Sequence, residues 1–115
     1  MIKILHNPRC SKSREALDLL QQKAQAVEVV EYLKTPLTAD ELTTLLGMLA
    51  IPARQLLRNK EEEYKQLGLD NMALSEQQLI AAMAQHPKLI ERPVIIKGNK
   101  AVIGRPASNI LSLLS

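Results

Sequence analysis

The chain has 115 residues, 46% of them apolar and 23% charged, with 15 Lys plus Arg against 12 Asp plus Glu for a formal net charge of +3, the make-up of one compact soluble domain. Its apolar runs fall far short of the ~20 residues needed to cross a bilayer, and Ile2, Ile4 and Leu5 are too few for a secretory signal core, so a cytoplasmic location with no membrane partner is expected. The basic residues form no cluster and the only aromatics are Tyr32 and Tyr64, which leaves no stacking platform and excludes a nucleic-acid partner of the single-strand-binding kind.

Ile2 to Leu5 form a short apolar run stopped by His6-Asn7-Pro8, the pattern of a buried first strand ending in a turn. After Cys10 the period changes. Ala16, Leu17, Leu20 and Ala24 recur at helical spacing, which predicts a helix beginning at about residue 11. Val27 to Tyr32 is rich in β-branched residues and reads as a second strand buried on both faces, so that strand, helix and strand form a parallel crossover unit.

Thr38-Ala39-Asp40-Glu41 opens a long helical stretch with a capping box, and Ser75-Glu76-Gln77-Gln78 repeats the device. Shorter helical pieces are expected between Pro52 and Leu69, with Glu61-Glu62-Glu63 as a solvated face. Val94 to Lys97 and Ala101 to Ile103 flank Gly98-Asn99, a tight-hairpin signal, and Gly104-Arg105-Pro106 then opens a final helix with an apolar face of Ile110, Leu111, Leu113 and Leu114. The order is βαβ, helices, then ββα: an α/β, thioredoxin-like mixed sheet with an all-helical insertion at about residues 36–88 of a single domain, 1–115.

Cys10 is the only cysteine, which excludes an internal disulfide and a zinc site built on several thiolates; no metal site is expected. A lone cysteine is most often a small buried hydrophobe. Here its neighbours are His6, Asn7, Pro8, Arg9, Ser11, Lys12 and Ser13, and none makes an apolar pocket. Placed at the start of a helix, with Arg9, Lys12 and Arg14 adding positive charge, the sulfur is expected to ionise readily and act as a nucleophile. Ser13 stands where dithiol oxidoreductases carry a second thiol, and either donates a hydrogen bond to the thiolate or caps the helix. His6 either tunes Cys10 or stabilises the turn; His86, before Pro87, is a helix-end residue with no chemistry.

Two Arg-Pro dipeptides bracket the hairpin. With Gly98 and Asn99 as the central turn residues, Lys97 faces Lys100, Val94 faces Ile103, and outward Arg92 faces Arg105; a three-residue loop would instead put Arg92 against Pro106. Like charges directly opposite are destabilising, and a bound oxyanion is the simplest neutraliser. Arginine's planar fork of donors suits a tetrahedral oxyanion and stays protonated at any working pH. Arg58, within Leu56-Leu57-Arg58-Asn59-Lys60, is a third candidate, although an isolated helical arginine is usually just solvated.

His6-Asn7-Pro8-Arg9-Cys10, Leu56-Leu57-Arg58, Gln85-His86-Pro87, Glu91-Arg92-Pro93-Val94 and Gly104-Arg105-Pro106 together span nearly the whole chain, and in this order they resemble the glutaredoxin-coupled arsenate reductases. The resemblance implies Cys10 as the catalytic nucleophile and Arg58, Arg92 and Arg105 as an oxyanion-binding triad, with His6, Lys12, Ser13 and Arg14 in support. It implies attack on arsenate, or another small oxyanion, to give a cysteine-bound adduct that glutathione joins and glutaredoxin reduces. Both are external reductants, no cofactor is bound, and a monomer is expected. It also suggests a cis peptide before Pro93. The chain departs from the family pattern in carrying Ser11-Lys12-Ser13 where Gly-Thr-Ser usually follows the cysteine, and in stopping soon after the final helix. Two other readings of the same fold are a thiol oxidoreductase acting on glutathione mixed disulfides, compatible with C-x-x-S, and a non-enzymatic module binding RNA polymerase, which typically carries C-x-x-C instead.

Overall fold

The computed structural model describes residues 2–23 and 26–114; the expected helical position Ala24 lies outside them. Two compact units emerge, Met1–Thr35 with Arg92–Ser115, and Pro36–Glu91.

The first unit is a four-stranded mixed sheet in the order β2-β1-β3-β4, with β1 at Ile2–Leu5, β2 at Val27–Val30, β3 at Val94–Lys97 and β4 at Lys100–Ile103. β1 pairs in parallel with β2 and antiparallel with β3, and β3 pairs antiparallel with β4. The hairpin closes on Gly98, whose φ of +63 is the left-handed conformation that such a turn needs. Lys97 therefore faces Lys100 and Val94 faces Ile103, the two-residue-turn register. β2 corrects the expectation. It stops at Val30 and is an edge strand, with Glu28 and Val29 exposed, because β1 flanks it on one side only; Tyr32 is fully buried in the turn beyond.

Helix α1, Ser11–Gln22, buries Ala16 and Leu20, and helix α6, Asn109–Leu114, buries Ile110 and Leu113, all against Ile2, Ile4 and Ile95. Burial of that apolar surface, at about 25 cal/mol per Å², holds both helices to one face of the sheet. The final helix starts later than Gly104-Arg105-Pro106 suggests. Asn109 Nδ2 donates to the carbonyls of Ile103 (3.0 Å) and Arg105 (3.2 Å), which holds the intervening residues in turns, so helix begins only at Asn109.

The second unit holds α2 (Ala39–Leu49), α3 (Ala53–Leu56), α4 (Glu62–Gln66) and α5 (Glu76–Gln85), followed by a short 3-10 turn at Pro87–Leu89. Both anticipated capping boxes form, Thr38 with Glu41 and Ser75 with Gln78. Leu42, Leu45 and Leu46 of α2 and Leu79, Ile80 and Met83 of α5 are buried, and the two helices pack together. Among the described residues no helix is long and apolar enough to cross a membrane.

Candidate active site

Leu5 pairs with both Val30 and Val94, and Val94 with Ile103, so β1 ends at the sheet edge where β3 begins and β4 ends. The segment carrying Cys10, the Arg92-Pro93 step and the Gly104-Arg105 step all leave the sheet from that edge. The Gly104 N–H donates to the Pro93 carbonyl at 2.8 Å and carries the β3–β4 ladder outward toward Arg92 and Arg105. Gly104 has no room for a side chain, since a Cβ there would lie 2.7 Å from Ile95 Cδ1. Both Arg92-Pro93 and Arg105-Pro106 are cis peptides.

Cys10 is the residue preceding α1, with extended backbone (φ −95, ψ 121), and its N–H donates to the Asn7 carbonyl at 3.0 Å. The sulfur is only partly exposed. Burial is the largest single influence on its ionisation and opposes it. The Ser13 N–H, the Arg92 guanidinium acting by hydrogen bond and by charge, and the Lys12 N–H together outweigh burial and lower the thiol below its ordinary 9.0. No side chain caps α1. The unsatisfied N–H groups of its first turn instead serve the sulfur as it ionises.

The charge that reaches the sulfur differs from the one proximity in sequence suggests. It comes from Arg92, some eighty residues away in the chain, whereas Lys12 lies 3.8 Å from Glu15 with both side chains exposed, and Arg14 Nη1 donates to the Pro8 carbonyl at 3.1 Å. Arg9 is exposed, its N–H held by Asn7 Oδ1 at 3.0 Å.

Ser13 is fully buried, and its hydroxyl performs neither expected task. It accepts from the Asn7 N–H at 3.0 Å and meets His6 Nδ1 at 2.7 Å. Burial, the largest influence, holds His6 below its ordinary 6.5; Glu31 acts in the opposite sense and Arg14 in the same sense. Ser13 Oγ accepts from the Asn7 N–H whichever imidazole tautomer is present, and the tautomer sets which partner donates in the bond to His6 Nδ1. His6 therefore ties the end of β1 to the first turn of α1, while its own N–H extends the sheet ladder to the Val30 carbonyl at 2.9 Å. Asn7 shares the turn-stabilising role that the sequence reading offered to His6 alone: its side chain, N–H and carbonyl are all engaged in shaping the turn. An Asn directly before Pro is the available signal, because its side chain readily closes a turn on the following backbone.

Arg58 belongs to the helical unit, where it is neither solvated nor alone. Its Nη1 donates to Glu91 at 2.9 Å and its Nε lies 3.3 Å from Glu61, which is thereby drawn out of the expected solvated acidic face. Glu61 follows Arg58 at helical pairing distance, a legible spacing. Glu91, thirty-three residues on, gives no such signal. His86 closes α5 as expected. No group of three or more His, Cys, Asp or Glu among the described residues is placed to hold a metal ion.

A thioredoxin-like sheet whose first strand-to-helix turn presents one thiol to an arginine from the start of β3 defines a single-thiol protein of that fold. The chain belongs to the ArsC family, whose model matches residues 5–113. It is 49% identical over 98% of its length to an arsenate reductase of Neisseria meningitidis, covering 97% of that protein. An uncharacterised Escherichia coli protein is 50% identical over 98% of this chain and 96% of its own length. The solved arsenate reductase of Vibrio cholerae superposes with a TM-score of 0.94 at 46% identity, covering 96% of this chain and 95% of that one.

Proposed function

We propose that this protein is an enzyme that reduces arsenate to arsenite, with glutathione and glutaredoxin as external reductants. The observation that carries this reading is the Cys10 sulfur, lowered in pKa by the first-turn N–H groups of α1 and by the Arg92 guanidinium. A thiolate is the nucleophile such chemistry needs, and a guanidinium beside it neutralises an incoming oxyanion. Membership of the ArsC family and the names of the relatives supply the substrate.

In this reading the Cys10 thiolate attacks arsenic(V), and an oxygen of arsenate, protonated, departs as water. The product is a cysteine-bound arsenate. Glutathione adds to that adduct with loss of a second water, and a glutaredoxin thiolate attacks the glutathione sulfur, so that the sulfur–arsenic bond breaks and its electron pair passes to arsenic; water then cleaves the Cys10–arsenic(III) bond, releasing arsenite and the free Cys10 thiol. Arsenic gains two electrons and two external sulfurs end as a disulfide, a division of labour consistent with a chain whose only thiol is Cys10. Arg92 and Arg105 bind the oxyanion from the sheet edge, and Arg58 is the third ligand by family resemblance. His6, Ser13 and Arg14 hold the turn, and Lys12 lends its backbone N–H to the sulfur. The cytoplasm, where glutathione is abundant, is the compartment this chemistry requires.

The test is arsenite formation from arsenate with glutathione and glutaredoxin. The wild-type protein is expected to turn over and Cys10→Ala to fall to the uncatalysed rate; absence of turnover at saturating thiol rejects the proposal.

A further inference from the structure

Three segments that carry the candidate site meet at Gly104. Its N–H donates to the carbonyl of Pro93, the residue after Arg92, at 2.8 Å, and Arg105 follows it directly. A Cβ on Gly104 would lie 2.7 Å from Ile95 Cδ1, 3.0 Å from Pro93 Cγ and 3.6 Å from Ala16 Cβ. Those atoms belong to β3, to the step that precedes it and to α1, where Ala16 shares a buried face with Ser13, close behind Cys10. Unlike Gly98, Gly104 lies outside the left-handed region, so what this glycine supplies is space and not a special backbone conformation.

An added methyl group has no easy way out. Ile95 is fully buried in one core cluster with Ile4, Leu20 and Ile110, and turning its Cδ1 aside would press on that packing. Pro93 is buried too, and its closed ring has no rotamer that leaves the contact. Backbone must yield instead, by the Gly104-Arg105 step moving off the Arg92-Pro93 step or by α1 moving off both. We propose that Gly104 is a positioning residue of the Cys10 site, its missing side chain letting these three segments close until Arg92 meets the sulfur. The proposal rests on the reading of Cys10 as the nucleophile and of Arg92 as its oxyanion-binding partner, and its first readout needs neither arsenate nor turnover.

That readout is the pH profile of Cys10 alkylation by iodoacetamide in the full chain, with the melting temperature measured alongside. Gly104→Ala is expected to move the midpoint up by about half to one pH unit, which is about a three- to tenfold lower rate on the acid side. Ile95→Val deletes Cδ1 without adding bulk at Gly104; it is expected to lower the melting temperature and leave the midpoint at its wild-type value, which separates positioning from general loosening. Should Gly104→Ala fold poorly, Gly104→Ala/Ile95→Val takes its place: the 2.7 Å overlap is gone, the 3.0 Å contact with Pro93 stays, and the midpoint is expected above that of Ile95→Val. A midpoint unmoved in folded Gly104→Ala, a shift of equal size in Ile95→Val alone, or a double variant that titrates with Ile95→Val overturns the proposal. Arsenate protection of Cys10 is the second readout, and a higher protecting concentration is expected in Gly104→Ala. If arsenate fails to protect the wild-type thiol, the oxyanion reading falls, while the alkylation midpoints still decide the role of Gly104.

Discussion

The two units use polar side chains in opposite ways. In the sheet unit the polar residues of the Cys10 turn are withdrawn from water: His6, Asn7 and Ser13 are the buried polar side chains among the described residues, and all three lie within seven residues of one another. In the helical unit the polar anchors stand at helix starts in contact with water, Thr38 and Glu41 on α2 and Ser75 and Gln78 on α5, each pair exchanging two hydrogen bonds. A buried polar group is costly unless satisfied, and so a closed web of them specifies one turn geometry. An exposed cap competes with water, and contributes stability without dictating where a reactive atom sits. The contrast teaches that damage to the buried web of the Cys10 turn should register in the chemistry of Cys10, and damage to the exposed helix caps mainly in stability.

Among variants that keep the thiol, the largest departure from wild type should come from Arg92→Ala, which acts on the sulfur from outside the turn. Losing a charge-assisted hydrogen bond worth about 1.5–3 kcal/mol should cut kcat/KM for arsenate by about one to two orders of magnitude. The thiol pKa should rise, displacing the alkylation profile to higher pH while the melting temperature stays close to wild type. The same shift appears as linkage. A thiol lowered on folding adds stability that is fully present above its unfolded value, ordinarily 9.0, and is lost as pH falls through the lowered folded value. Wild type should therefore gain stability over Cys10→Ala as pH rises through that window, and Arg92→Ala should show less of that gain. An unmoved alkylation profile would dissociate Arg92 from the sulfur and break the contrast at its strongest point.

Ser13→Ala should come next. It leaves the buried Asn7 N–H and His6 Nδ1 without the hydroxyl that joins them, at a cost of about 1–3 kcal/mol in denaturant unfolding. Unlike a helix cap it should also slow Cys10 alkylation, because the turn that aims the sulfur loosens. A stability loss with an unaltered thiol would reduce the turn to ordinary packing.

Thr38→Ala should have the smallest effect. It removes one half of the α2 capping box for about 1 kcal/mol, read as a lower unfolding midpoint, with thiol titration and arsenate KM unchanged. A changed KM would show that the helical unit's exposed caps reach beyond stability and would sharpen where the contrast ends.

What could be read in advance follows from the range of each interaction. The strand of Ile2–Leu5, the start of α1 at Ser11, both capping boxes and the hairpin register rest on residues a few positions apart, and they form as expected. The edge position of β2 was not legible, since an apolar β-branched run looks alike whether one neighbour or two flank it. The late start of α6 depended on Asn109 reaching back to two carbonyls, a choice among several turns that local propensity does not rank.

The sequence by itself determined the ingredients: a single cysteine before a helix, arginines beside prolines on either side of a hairpin, and the alternation of strand and helix that makes a thioredoxin-like sheet. Only the tertiary structure decided which charges act on which groups. Arg92 rather than the adjacent Arg9, Lys12 or Arg14 reaches the Cys10 sulfur, and Arg58 faces Glu61 and Glu91. The physical reason is that the strength of an electrostatic contact is set by distance in space and access of water, and neither is encoded in separation along the chain.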